Sequence, residues 1–281
     1  GTVPGHELAG EVAAVGRGVE RFRIGERITA LSVYGCGDCA ACHAGTPLLC
    51  TQMRGLEGGF GEYTRAPEWI CRALPQTLSL DDGALIEPLA CSLHGVNQAE
   101  IGPDTRVLVL GAGPVGLGAV FWARRAGARR IAVAAHSRRG EALAMTLGAS
   151  AFLDPAADRA EATLATLGGP PDVVFECVGR PGLIGEAIGL VRYRGTVVVL
   201  SLCAQPDTII PTMAVFKEIV MRFAVIYAPA EFEEAARTLD RGAVEARAMA
   251  TGTVSLDALP EAFEALRKGS GNCKLMVDPW A

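Results

Sequence analysis

From residue 106 onward, compact apolar runs alternate with stretches whose apolar positions recur every three or four residues. Arg106–Leu110, Ile131–Val133, Ala151–Asp154, Val173–Glu176 and Thr196–Leu200 read as strands; Val115–Ala126 and Glu141–Leu147 read as helices. Strand and helix in turn at this spacing imply βαβ units and a parallel sheet. Residues 1–98 have another texture, rich in glycine and turns, with short alternations such as Leu8–Ala13 that suggest a β-rich domain. The tail carries helices at Glu231–Asp240 and around Leu259–Arg267, then a strand at Lys274–Val277. The expected division is 1–98, 99–228 and 229–281, the middle segment being inserted between two pieces of one β-rich domain.

Composition narrows the function classes. Of 281 residues, 50% are hydrophobic and 20% charged, which supplies a sizeable core and excludes a disordered chain. Charged residues break every apolar run before it reaches bilayer-spanning length, so no membrane partner is expected although mean hydropathy is +0.28. A net charge of −5, 6% aromatic residues and no basic stripe argue against nucleic acid as a partner. The chain opens Gly1-Thr2-Val3-Pro4-Gly5 with no signal peptide and no initiator Met. The expectation is a cytoplasmic, thiol-reduced protein whose N-terminal segment is missing or processed.

Four of the nine cysteines, Cys36, Cys39, Cys42 and Cys50, are separated by two, two and seven residues. Gly35, Gly37 and Gly45 among them allow the tight turns that bring four sulfurs together. Four thiolates around one Zn2+ make a closed structural site with no position for substrate. Unrelated buried thiols and an iron–sulfur cluster are the competing readings; the missing Cys-Pro ending counts against the cluster. His43 reads as solvent-facing. The single cysteines Cys71, Cys177, Cys203 and Cys273 read as small apolar core residues.

A second set is His6 and Glu7 in Gly5-His6-Glu7, with Glu87 in Leu85–Leu89. Singly, His6 and Glu7 read as a surface pair, and Glu87 before Pro88 as the start of a helix. Together they offer one imidazole and two carboxylates, enough for a catalytic zinc that keeps one position open.

Gly111-Ala112-Gly113-Pro114-Val115-Gly116 follows a strand and opens a helix. In that order the glycines make the tight turn, the close backbone approach to a pyrophosphate, and the close helix–strand packing of a dinucleotide site. The acid that ordinarily grips the ribose at the end of the second strand is absent: Ala135 holds its place, followed by His136, Ser137, Arg138 and Arg139. Loss of the carboxylate with gain of two guanidinium groups favours NADP over NAD. A solvated arginine pair is the competing reading.

The cysteine lobe, Gly5-His6-Glu7 and the glycine turn, in this order, resemble the zinc-containing medium-chain alcohol/polyol dehydrogenases. Pro4–Val12, Gly25–Ile28, Gly58–Tyr63, Glu87–Ala90, Phe175–Gly179 and Leu259–Phe263 carry the likeness through essentially the whole chain. Glu87-Pro88-Leu89 with His94-Gly95 is similar to the sorbitol, threonine and butanediol dehydrogenase branch. The resemblance implies a GroES-like β-rich catalytic domain, N-terminally incomplete here, and a Rossmann doubly wound parallel sheet. It implies His6, Glu7 and Glu87 as catalytic zinc ligands or their neighbours, and Val178 and Ser201 on the nicotinamide side. It also implies a homodimer or homotetramer, with sheet edges of the nucleotide domains pairing. A catalytic cysteine followed by a Ser or Thr belongs several dozen residues before Gly-His-Glu in such proteins, and this chain begins after that point.

The expected activity is zinc-dependent interconversion of a secondary alcohol or polyol and its ketone, with hydride passing to NADP or, alternatively, NAD. Apolar character near Tyr34 and Met53–Leu56 hints at a small neutral alcohol. A non-catalytic nucleotide-binding relative that has lost the catalytic zinc is the alternative. Zinc-independent quinone or enone reductases normally lack the four-cysteine lobe.

Overall fold

The computed structural model describes residues 2–281; Gly1, the first residue of the expected 1–98 segment, lies outside them. The chain divides into two compact units, one running to Ala90 and resuming at Tyr227–Ala281, the other Cys91–Ile226.

The second unit is built on a six-stranded parallel sheet in the order Val220–Phe223, Thr196–Val199, Val173–Glu176, Arg106–Leu110, Arg130–Ala134, Ala151–Phe152. That is the doubly wound Rossmann arrangement, whose strand order reverses between the first and fourth strands. Val107–Leu110 and Ile131–Val133 are at most 1% exposed, which explains their unbroken apolar runs: both faces of such a sheet are covered. Leu108, Leu110, Ala132, Val174, Val197 and Val199 form the core on one side, closed by Leu167, Ala187 and Val191. The crossover helix Pro114–Arg125 starts with proline in its first turn, where no intrahelical N–H bond is lost. The helix Arg159–Leu167 has Asp158 as its cap, accepting from the Glu161 N–H, and ends on Gly168 at φ 71°.

The first unit carries an antiparallel sheet of Ala9–Glu11, Arg27–Ala30 and Cys71–Ala73, a parallel pair Ala250–Ser255 with Lys274–Asp278, and a short hairpin of Val33–Tyr34 with Arg54–Gly55. The sequence suggested strands and loops throughout residues 1–98, yet Leu80–Val96 is a 17-residue helix with Pro88 inside it. Ser79 and Asp82 exchange backbone-to-side-chain hydrogen bonds at its start (2.8 and 3.1 Å), a reciprocal cap. Glu87 therefore stands in mid-helix and not at a helix start. Proline disfavours helical geometry in the residue before it, but burial of Leu85, Ile86, Leu89 and Ala90 at 1% exposure or less overrides that local preference.

Among the described residues, no helix is long and apolar enough to cross a membrane.

Candidate functional site

The four cysteines converge. Every pair of their sulfurs lies within 4.8 Å, and Cys39 and Cys42 Sγ are 3.5 Å apart. Four sulfurs about 2.3 Å from one zinc stand about 3.8 Å from each other, so the set fits that ion. The lobe is folded around the site: Gly35 leaves no room for a side chain, since a Cβ there would lie 2.4 Å from Cys42 Sγ and 2.9 Å from Cys50 Cβ. Gly37 and Gly45 turn the chain at φ 88° and 73°. The N–H groups of Cys36 and Gln52 donate to Cys50 Sγ (3.4 and 3.3 Å) and draw its thiol down to about 7 despite burial. His43 is exposed. Tyr34 and Met53–Leu56 belong to the hairpin beside the lobe, with Tyr34 edge-on to Trp69 and Leu56 buried.

His6, Glu7 and Glu87 also meet, each offering an atom within 4.8 Å of the others. His6 Nε2 stands 3.9 Å from Glu87 Oε1, against the roughly 3.4 Å edge of a tetrahedral zinc site with nitrogen and oxygen ligands. Three ligands of this chemistry fit a zinc that retains an open position. His6 is half exposed while Glu87 is buried. Burial pushes the Glu87 carboxyl upward and the charge of Glu7 adds to the shift, opposed by Ser32, His6 and Lys274.

Three partners of this set carry no spacing signal in the sequence. Lys274 makes an ion pair with Glu7. Ser32, bonded to Glu87, shares a 2.8 Å hydrogen bond with the Tyr227 hydroxyl, which also accepts from the Ser32 N–H at 2.9 Å. Ser32 and Tyr227 are both buried, so the chain Tyr227–Ser32–Glu87 forms a dry support behind the carboxylate.

In the other unit the glycine turn has the shape its spacing promised. Gly111 takes φ 109°, where a Cβ would strike Val178 Cγ2 at 2.8 Å. Gly113 faces open space, and a Cβ on Gly116 would lie 2.1 Å from the Gly111 carbonyl oxygen. The turn thus leaves an open cradle at the N-terminus of Pro114–Arg125, suited to a pyrophosphate. Pro114 and Val115 are the first two residues of that helix. Gly140 packs so closely on Ala112 (a Cβ would come within 2.6 Å) that the Arg138–Gly140 turn is held against the glycine turn. His136 is exposed and Ser137 half buried; Arg138 reaches Glu141 with two hydrogen bonds of 2.7 and 2.6 Å.

Of the single cysteines, Cys71 is buried as expected. Desolvation, together with the Glu176 charge, pushes the Cys177 thiol up. Cys177, Cys203 and Cys273 are each only half buried, less enclosed than expected; Cys203 sits in a loop, its thiol 3.5 Å from the Gln205 carbonyl, because the residues around it pack against little.

Residues 114–241 match the zinc-binding dehydrogenase family and residues 1–76 the alcohol dehydrogenase GroES-like domain. D-xylulose reductase A of Aspergillus niger is 30% identical to the chain over 96% of its length and 78% of its own. The chain belongs to the zinc-containing medium-chain dehydrogenase family. Structures of this family overlay it closely. A protein of Sinorhizobium meliloti described as a zinc-binding dehydrogenase, solved bound to NADP, is 33% identical with a TM-score of 0.90, covering 99% of this chain and 84% of that one. 2R,3R-butanediol dehydrogenase from Bacillus subtilis is 31% identical with a TM-score of 0.88, covering 98% and 80%. As a member of this family, the chain is an oxidoreductase of the alcohol dehydrogenase type.

Proposed function

We propose that the protein interconverts a secondary alcohol or polyol and its ketone with NADP(H), using one zinc in the cysteine lobe and a second at His6, Glu7 and Glu87. The observation that carries this reading is the convergence of His6 and Glu87, from opposite ends of the first ninety residues, on a site with one carboxylate buried.

Zinc held by His6, Glu7 and Glu87 would supply Lewis acidity toward an alcohol oxygen, and NADP held at the glycine turn would supply the hydride acceptor. The protein's own groups prepare this chemistry. His6 offers an imidazole nitrogen from an exposed position. Glu87 brings negative charge into a dry environment, held in place by the Ser32 hydroxyl with Tyr227 behind it. Lys274 offsets the charge of Glu7, so that two adjacent carboxylates are tolerated. Gly111, Gly113 and Gly116 with the first turn Pro114–Val115 cradle the pyrophosphate, and Arg138 and Arg139 meet the 2′-phosphate. The relatives named for xylulose and butanediol suggest a small neutral polyol.

The same reading gives the protein a second copy as partner. The edge strand Val220–Phe223 leaves Phe223 70% and Val220 46% exposed, an apolar edge suited to pairing with itself across a two-fold axis.

Zinc per chain, dinucleotide binding and oxidation of xylitol, sorbitol and butane-2,3-diol test the proposal together. Two zincs with NADP-linked turnover are expected. One zinc and no turnover would leave a nucleotide-binding relative.

A further inference from the structure

Glu176 ends the strand Val173–Glu176 at the point where the order of the sheet reverses, paired on one side with Leu110 and on the other with Val199. It is 1% exposed. A carboxylate so deeply buried needs donors for its lone pairs. It has three, all uncharged: the N–H groups of Val178 (2.7 Å) and Gly179 (3.0 Å) donate to Oε1, and the Ser201 hydroxyl donates to Oε2. One side chain therefore fastens the loop after its own strand to the loop after Thr196–Val199.

The packing around these loops is tight. A Cβ on Gly179 would stand 2.9 Å from the Leu202 carbonyl oxygen, and a Cβ on Gly111 would stand 3.1 Å from that of Cys177. The glycine turn, the 177–179 loop and the 201–202 loop thus abut, with Glu176 beneath them.

The hydrogen-bond directions have a chemical consequence. A serine hydroxyl has one proton, and that of Ser201 is committed to Glu176, so the oxygen meets its surroundings as an acceptor. The N–H groups of Val178 and Gly179 are committed to the same carboxylate. Half-buried Ser201 therefore presents lone pairs at the carboxyl end of the sheet. The donor that a nicotinamide ring carries is the NH2 of its carboxamide.

We propose that Glu176 is a positioning residue that fixes Ser201 as the acceptor for the carboxamide NH2 of the nicotinamide while holding the two loops together. This rests on the dinucleotide reading given above.

The test compares dissociation constants of NADPH and its 3-acetylpyridine analogue, in which a methyl group replaces the NH2, by fluorescence titration. Wild type, Ser201→Ala and Glu176→Gln are compared, with 2′-phospho-ADP-ribose as a probe that has no pyridine ring. Wild type is expected to bind the carboxamide form about fivefold more tightly, the worth of one neutral hydrogen bond. Ser201→Ala removes the acceptor and brings the ratio near one. Glu176→Gln does the same by another route: its amide donates to Ser201, whose proton then faces outward and suits either carbonyl. The ring-free probe should bind all three proteins alike. If Glu176→Gln loses that probe, its loops have collapsed, and Ser201→Ala alone decides. A fivefold ratio that survives Ser201→Ala overturns the proposal, as does a wild type that binds both dinucleotides equally. A wild type that binds the probe and neither dinucleotide overturns it too. Failure to bind even the probe sinks the dinucleotide reading itself.

Discussion

Lys274 donates from its ammonium group to the carboxylate of Glu7, 267 positions earlier in the chain. The pair is partly sheltered, with Lys274 14% and Glu7 34% exposed, and it stands beside buried Glu87. Removing the cation leaves two carboxylates facing each other, moderated by His6 and the Ser32 hydroxyl. For Lys274→Met we expect a loss of about 1–2 kcal/mol in protein with an empty second site, discounted for exposure of Glu7. Zinc at that site should recover much of the loss, because its charge takes over the role of the ammonium. Urea unfolding at one and at two zincs per chain checks this. An equal loss in both states would make the pair a purely structural contact.

Gly35 makes the sharpest test of the cysteine lobe. A methyl group there has to displace Cys42 Sγ and the backbone-anchored Cys50. Gly35→Ala should therefore cost one zinc per chain and at least about 2 kcal/mol. Gly37→Ala, with nothing within 4 Å but φ at 88°, is strained only in its backbone and should keep its zinc. Metal analysis separates the two variants; zinc retained by Gly35→Ala would refute the packing argument.

What the sequence disclosed follows from where the information is local. The parallel strands were legible because both their faces are buried, and the cysteine lobe and glycine turn because their spacing sets their geometry. The helix Leu80–Val96 was not, since Gly83 and Pro88 speak against a helix locally, and only tertiary packing of Leu85, Ile86, Leu89 and Ala90 decides otherwise. The Ser79–Asp82 cap was the available signal. Val220–Phe223 carries little of the burial that marks its neighbours. Within the site, His6, Glu7 and Glu87 were named from a motif, whereas Lys274, Ser32 and Tyr227 are joined to them by contacts that no spacing encodes. Glu176 lay inside a recognised motif, but its role depends on Ser201 in the next loop.

Asp172 gives the stability of the nucleotide unit an acid limb. Burial works against its ionisation, but the Arg106 side chain and N–H and the Arg192 guanidinium outweigh it and hold the carboxyl at about 2. Since the folded value lies below the unfolded one, near 3.8, the contribution is complete above about pH 4 and disappears as pH falls through 2. Asp172→Asn should lose about 2 kcal/mol at pH 7, and the difference from wild type should narrow below pH 4. Urea midpoints between pH 2 and 7 measure it. A difference that does not change with pH would assign the loss to shape and not to charge.

The edge strand Val220–Phe223 predicts self-association. Phe223→Asp places charge on the exposed edge and should weaken a dimer by about 100-fold or more. Sedimentation across the micromolar range reads the shift. A wild-type protein that remains monomeric throughout would remove this edge as an interface.

Arg138 is already occupied by Glu141, and that competition sets the expected cofactor preference. The two groups meet in a bidentate pair, but they are 56% and 33% exposed, and exposed pairs contribute about 1 kcal/mol at most. A 2′-phosphate brings nearly two negative charges to the same fork and should displace the carboxylate. Arg138→Ala is therefore expected to raise the dissociation constant for NADP about tenfold and leave that for NAD nearly unchanged. Glu141→Gln should act oppositely, tightening NADP about threefold by freeing the guanidinium, again without effect on NAD. Both effects should shrink as salt is raised, because the groups are solvent-exposed. Equal weakening of both cofactors in Arg138→Ala would show that the arginine supports the turn and does not read the phosphate. Arg139 and Ala135, through the carboxylate that it lacks, would then be left as the basis of discrimination.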